Sequence, residues 1–450
     1  MKLYTRRAPL ALLAAFALAI ATPAFAQDDP RVVEIRWEEV VEKSIDDNLA
    51  LRAKRLDYES QDLEEWKSLS TFLPTLSYQG AWTNNQEIPK FFIAGQVIEV
   101  GSPWTIQHNL VASLPLFTGG ARWFNYEIQS DLRKSMAEEV RDMESETALN
   151  ALKAYFGVVL AQEMEETMAE AVEVAEANLE QVRTKRNVGT ATELDLQRAK
   201  AQYFAQLPQY ESAKNGVKKA RQQLKVVLNI PLEDSLAIMD TLAIKTFGAE
   251  YVDLPLEELK SIARESRPDL RAGEYQVKAA EGGETAALSR FSPTAALSYT
   301  VSHQTQAEEL DEDGTYFRTK ALALSVSWSL FEGGGRYLDW EKAAIRTRQA
   351  ELYRKLADDQ AALEVENARL DYLEAVVNLE SLEAASAQAE EASRLANLLY
   401  GEGMSAQLDV LNAQLAKTQS RAAYLEGVYR HNVSRLTLLD AVGKLNAIWE

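Results

Sequence analysis

Leu116-Phe117-Thr118-Gly119-Gly120-Ala121-Arg122 returns 214 residues later as Leu330-Phe331-Glu332-Gly333-Gly334-Gly335-Arg336, with five of seven positions identical. Before each copy apolar and polar residues alternate, the signature of a strand with one apolar face. After each copy comes a very long helical pattern. Gly119 and Gly120, and again Gly333 and Gly334, suit a sharp strand-to-helix change of direction, because glycine enters backbone conformations closed to other residues. The chain is therefore a strand-to-helix unit made twice.

Ahead of the first copy the spacing predicts a helix over residues 32–69, ended by Leu73-Pro74-Thr75. A strand follows at about 75–86, with Leu76, Tyr78, Gly80 and Trp82 on one face and Ser77 and Gln79 on the other. Residues 84–103, with Pro89, Gly95, Gly101 and Pro103, read as a loop. The strand at about 104–116 sets Trp104, Ile106, His108, Leu110, Leu114 and Leu116 against Thr105, Gln107, Asn109 and Ser113. The second half repeats this plan. Phe291 and Pro293-Thr294 match Phe72 and Pro74-Thr75 at a shift of 219, and strands follow at about 294–303 and 317–330. The faces holding Trp82, Trp104, Tyr299 and Trp328 are expected to meet lipid, and those holding Ser77, Gln107, Ser298 and Ser325 to meet water.

Arg122 to Asn187 reads as one helix, roughly 100 Å long at 1.5 Å per residue. Such length implies a coiled coil or a repeat. Val188-Gly189-Thr190 breaks it, and Thr190 with Glu193 forms a capping box for a returning helix toward Val227. The second long helix, from about Arg336 to Tyr400, breaks at Gly401-Glu402-Gly403-Met404-Ser405. Gly403 and Leu408-Asp409 align with Gly189 and Leu194-Asp195. The expected organisation is repeat 1 over 27–228, a connector over 229–266 packed on the rods, repeat 2 over 267–440 and a tail over 441–450.

Residues 1–26 read as a secretory signal. Lys2, Arg6 and Arg7 precede an apolar run, and Ala24-Phe25-Ala26 is a cleavage motif. Removing these three basic residues and no acidic one takes the formal charge from −20 to −23. That acidity argues against nucleic acid, whose phosphates need a basic surface. There is no cysteine, so no disulfide and no thioether-linked lipid anchor can form. His108, His303 and His431 lack ligand-like spacing, and no nucleophile, phosphate loop or cofactor fingerprint occurs. Neither catalysis, metal nor cofactor is expected.

Ten-residue alternating strands have the length of a membrane barrel's strands. Four cannot close a barrel without leaving edge groups unpaired in lipid, so several chains must pool their strands. The competing reading is a water-soluble periplasmic coiled-coil scaffold or adaptor without a pore.

The doubled Pro-Thr strand entry, the Leu-Phe-x-Gly-Gly-x-Arg exit and the Val-Gly-Thr and Gly-Met-Ser turns ahead of Leu-Asp resemble the TolC-like outer-membrane efflux family over essentially the whole mature chain. The resemblance implies an α+β membrane protein. It would be a homotrimer with a twelve-stranded β-barrel in the outer membrane, four strands per chain, continued by a long α-helical barrel in the periplasm. It implies a passive exit duct for a tripartite efflux pump or type I secretion system, with a periplasmic adaptor and an inner-membrane transporter or ABC ATPase as partners. The family's gate is a ring of inner-hairpin aspartates. Asp409 matches the first of the pair, and Asn412, one turn on, stands where a second aspartate is common, which lowers the ring's charge. A solvated surface aspartate is the competing reading of Asp409. Tyr400 matches a tyrosine that helps hold the gate closed. In the first hairpin Asp195 and Arg198 stand at i,i+3, as a surface ion pair or a gate element. Val188, Gly189, Thr190, Gly403, Met404 and Ser405 match the positions that meet the adaptor.

Overall fold

The computed structural model describes residues 32–93, 95–99, 101–309 and 315–449. The signal segment and residues 310–314 of the acidic loop lie outside the described residues. In chain order the elements are β1 (Val32–Ile35), α1 (Trp37–Asp47), α2 (Leu49–Ser70), β2 (Thr75–Asn84), β3 (Lys90–Ile93), β4 (Gln96–Glu99), β5 (Trp104–Phe117), α3 (Ala121–Asn187) and α4 (Glu193–Val227). There follow β6 (Ser235–Ile238), α5 (Ala249–Val252), α6 (Leu256–Ser266), α7 (Pro268–Ser289), β7 (Thr294–Ala307), β8 (Thr315–Ser327), α8 (Gly335–Gly401) and α9 (Gln407–Ala441). A short 3₁₀ turn at Leu445–Ile448 closes the described chain.

Several sequence expectations need correction. The stretch 32–69 is not one helix. Val32-Val33-Glu34-Ile35 is β-branched at three of four positions, and it pairs in parallel with β6 of the connector. Tertiary pairing overrides the helical spacing there. A second break falls at Asn48, whose side chain accepts from the backbone N–H groups of Ala50 and Leu51 at 3.0 Å and so caps α2. The stretch 84–103 is not a plain loop either, since it contains the β3–β4 hairpin. The returning helix does run to Val227 as expected, with Pro208 inside it.

β2, β5, β7 and β8 form one antiparallel sheet in that order. Directly paired residues share a face. The pairs Trp82↔Ile106, Ala112↔Tyr299 and Tyr299↔Leu322 therefore align the apolar faces of all four strands on one side. Near the end of β5 the register slips by one between Pro115 and Phe117, so Leu116 is the bulged residue and Phe117 takes its place on the apolar face. Trp328 lies beyond β8, and its indole N–H donates to the Phe291 carbonyl at 3.0 Å. Its assignment to a strand face is corrected accordingly.

The repeated motif has a visible cause. Gly119, Gly120, Gly333 and Gly334 all take positive φ, between 61° and 90°. The motif's arginine then fastens strand to helix. Arg122 donates to the Pro115 carbonyl and lies 5.0 Å above the Phe72 ring. Its counterpart Arg336 donates to the Ser329 carbonyl and lies 5.9 Å above Phe291. Each junction thus closes from both sides, through the glycine turn and the guanidinium.

The main core lies at the level of the connector. Val40, Val41, Leu152, Tyr155, Phe156, Val159, Leu224, Leu236 and Leu439 pack there, holding β1, β6 and α1 against α3, α4 and α9. On the opposite side Leu259 and Ala263 of α6 pack on Val365, Ala368 and Leu438. This belt fixes the two hairpins side by side, so that both turns emerge at one end of the rods.

Candidate functional site at the hairpin tips

At the first tip, α3 ends in a Schellman closure. The Thr190 N–H reaches back to the Lys185 carbonyl at 2.8 Å, and Gly189 takes φ of 80°. The second tip repeats this, with Met404 N–H on the Leu399 carbonyl at 2.8 Å and Gly403 at φ of 76°. Val188, Gly189, Thr190, Gly403 and Met404 are exposed, and Ser405 is half-buried.

The capping box is not Thr190 with Glu193. Thr190 is spent on the end of α3, where its hydroxyl donates to the Lys185 carbonyl at 3.0 Å. Thr192 is the N-cap, and its hydroxyl accepts from the Asp195 N–H at 3.2 Å. Asp195 answers by accepting from the Thr192 N–H at 3.0 Å and hydroxyl at 2.7 Å. These bonds hold its carboxyl below the usual range. Asp195 is thus a capping residue, and after the Thr192 bonds the positive charge of Arg198 adds to the same lowering.

Asp409 occupies the same place in the second hairpin. Its Oδ2 accepts from the Ala406 N–H at 3.1 Å and the Ser405 hydroxyl at 2.9 Å. It remains exposed, as does Asn412. The cap orients the carboxylate at the helix N-terminus, where negative charge is favoured.

Tyr400 is 7% exposed and packs with Leu179, Val182, Leu196, Ala199 and Val410, so it joins the two hairpins. Lys185 stands 3.9 Å above its ring centroid and donates to its carbonyl at 2.7 Å. Gln407 donates across to the Asp195 carbonyl at 3.0 Å. Higher on the rods Lys417 of α9 reaches Glu170 of α3 at 2.8 Å. Lys185, Gln407 and Lys417 were missed by sequence reasoning. One signal was available for Gln407, since its repeat counterpart is Glu193 and the exchange of acid for amide accompanies burial to 3% exposure.

An open sheet with one apolar face, set on two antiparallel helical hairpins, defines the fold of outer-membrane exit channels. The sequence pattern of the outer membrane efflux proteins matches residues 47–229 and 259–444, that is, both repeats without most of the connector. The chain belongs to this family. Outer membrane protein TolC of Escherichia coli (strain K12) is 22% identical over 303 residues, which make up 66% of this chain and 61% of TolC. The match therefore spans less than two thirds of that relative. Among solved structures, the Campylobacter jejuni CmeC outer membrane channel superposes with a TM-score of 0.76 at 18% identity, over 91% of this chain and 86% of that one. The open state of the Neisseria gonorrhoeae MtrE outer membrane channel gives 0.74 at 22% identity, over 91% and 89%. A membrane protein from Pseudomonas aeruginosa gives 0.76 at 20% identity, over 90% and 93%. At these identities the likeness carries the fold.

Proposed function

We propose that the protein is a passive exit duct in the outer membrane of a Gram-negative cell, built from three chains and projecting into the periplasm. It would serve a tripartite efflux pump or type I secretion system and perform no chemistry. A periplasmic adaptor would dock on the tips, and an inner-membrane transporter or ABC ATPase would supply energy and choose the cargo.

The observation that carries this reading is the sheet. One face presents Leu76, Tyr78, Trp82, Leu322, Leu324 and Val326, all more than 60% exposed, and both edge strands, β2 and β8, are open. A water-soluble scaffold would bury such a face, whereas a lipid-facing barrel wall exposes it.

A second copy of the chain fits the open edges. Within one chain β5 of repeat 1 pairs with β7 of repeat 2, and α3 packs on α7. Carried once more around, the same operation would pair β8 with β2 of a neighbour and pack α8 on its α2. Both helices expose apolar rows at heptad spacing, the mark of a coiled-coil seam. These are Leu49, Leu56 and Leu63 on α2, and Leu356, Leu363, Leu370 and Val377 on α8. The repeat offsets, 219 for β2 to β7 and 214 for β5 to β8, convert Ala112↔Tyr299 into Val326↔Gly80 across chains. That register keeps the apolar faces continuous.

The test uses the absence of native cysteine. Ser325→Cys with Ala81→Cys, which face each other in this register, should give a covalent trimer with a short cross-linker. Ser325→Cys with Thr83→Cys should give far less. Equal yields, or monomers only, would reject the closure.

Asp409 is placed on the gate by this reading. Three copies around an axis would favour cations at the constriction. Asp409→Asn retains an acceptor for the Ala406 cap, so trimers should persist while cation selectivity in planar bilayers falls. Unchanged selectivity would leave Asp409 a capping residue alone.

A further inference from the structure

The four strands β2, β5, β7 and β8 contain no aspartate or glutamate, in a chain that has 68 acidic residues. Their only permanently charged residues are Arg318 and Lys320, both exposed on β8. The register places these two cations on the apolar face, not the polar one. His303 pairs with Arg318 and with His108, and Val301 pairs with Lys320, so His108, His303 and Arg318 form one row across three strands. Tyr78 binds His108 Nδ1 through its hydroxyl at 2.7 Å, which leaves Nε2 directed elsewhere. Trp82 stands edge-on to His108 with ring centroids 5.7 Å apart, and Tyr316 lies 5.5 Å from His303.

A cation on a lipid-facing wall costs about 2–4 kcal/mol at the midplane and about 0–1 near the interface, so its height decides whether it is tolerable. Arg318 lies nine residues from Ser327, at the rod end of β8. At about 3.3 Å per residue and a tilt of roughly 40°, that is about 23 Å along the barrel axis, against an apolar band about 25 Å tall. Lys320 lies roughly 5 Å lower, within reach of a snorkelling side chain. Trp82, Trp104 and Tyr316 complete an aromatic girdle around the same level. The row is at the end of the strands away from the rods, hence in the outer leaflet. Acidic residues resume past the outward strand ends, at Glu87 and Glu99 between β2 and β5 and at Glu308, Glu309, Asp311, Glu312 and Asp313 between β7 and β8.

We infer that Arg318 and Lys320, with His108 and His303 beside them, form a binding row for the phosphate groups of the outer leaflet's phosphorylated glycolipid, lipid A. No carboxylate on the sheet can neutralise these cations, and the lipid's phosphates lie at their level. Three copies of the row would encircle the barrel and seat it in the outer leaflet. The inference rests on the barrel reading above.

The experiment places the intact trimer in phosphatidylethanolamine vesicles doped with bisphosphoryl lipid A or with its dephosphorylated form. Trimer dissociation temperature and bound lipid A are measured, and single-channel conductance is recorded in parallel. The bisphosphoryl form should bind and raise the dissociation temperature, and the dephosphorylated form should do neither. Arg318→Gln with Lys320→Gln should weaken binding roughly thirtyfold, about fivefold per cation. Lys218→Gln with Lys219→Gln, the same charge change on the exposed face of α4, should leave it unaltered. Equal responses to both lipids with normal conductance would overturn the inference and leave the barrel standing. So would a comparable response to inorganic phosphate added to trimers in detergent. If the double variant does not assemble, the wild-type comparison of the two lipids and the single Lys320→Gln variant still decide. A wild-type protein that needs no detergent and conducts nothing would remove the barrel, and the row with it.

Discussion

Tyr299→Lys should abolish trimer assembly, while Ser298→Lys, its neighbour on the other face, should assemble nearly normally. Tyr299 shares its row with Ala112 and Leu322, between a row holding Leu297 and Leu324 on the rod side and a row holding Leu110, Val301 and the outward-reaching Lys320 on the other. That is the middle of the apolar face. Lysine there costs about 2–4 kcal/mol per site, and symmetry applies the cost three times per trimer. Ser298 pairs with Ser113 and Ala323 on the polar face, where a lysine meets water in the proposed lumen. The contrast between adjacent residues makes the test insensitive to general damage to β7. Membrane fractionation with semi-native electrophoresis reads it. Equal tolerance of both lysines would exclude a lipid-facing wall. Trp82 and Trp104, farther out along the strands, should tolerate lysine better because they lie nearer the interface.

Gly403→Trp and Gly189→Trp should abolish export while leaving trimers in the outer membrane. Both glycines take left-handed φ, and a side chain of the L series at such a position is strained by roughly 1–2 kcal/mol. That is small against the cores that hold the rods, so assembly survives. Among the described residues, the glycine's immediate chain neighbours aside, nothing lies within 4 Å of a Cβ added at either position. The folded chain thus leaves room for a side chain to start there, and a bulky one would obstruct the tip surface that a docked partner meets. Gly403→Asn separates strain from bulk, because asparagine accepts left-handed φ most readily after glycine, and export should be largely kept. Cysteines at Thr190 or Ser405 should cross-link to the adaptor in cells. Cross-links found only along the rod near Ala171 or Ala389 would overturn tip docking.

The doubled motif, the alternation on four strands and the glycine breaks were enough to read the fold class, because each is a local signal. Period 2 marks a strand, 3/4 spacing a helix, and glycine a turn. Strand faces followed too, since alternation alone assigns them wherever the strand is regular. It failed at the bulge beside Leu116 and at Trp328, where the strand is not. Val32–Ile35 escaped as well, because a four-residue strand exists only by pairing with Ser235–Ile238, some 200 residues away. The same limit governs the tips. Sequence alignment of the repeats brought Asp195 and Asp409 forward as a pair, but not their shared work as helix caps, which depends on which residue takes the N-cap dihedral. Nor could spacing reveal that Lys185 lies over Tyr400 or that Gln407 reaches Asp195, since these contacts join hairpins 212 and 215 residues apart. Local periodicity is written in neighbouring residues and so belongs to the sequence. The register across strands, the latch between tips and the gathering of Arg318 and Lys320 with two histidines on one face arise only when distant segments are packed together, and only the tertiary structure decided them.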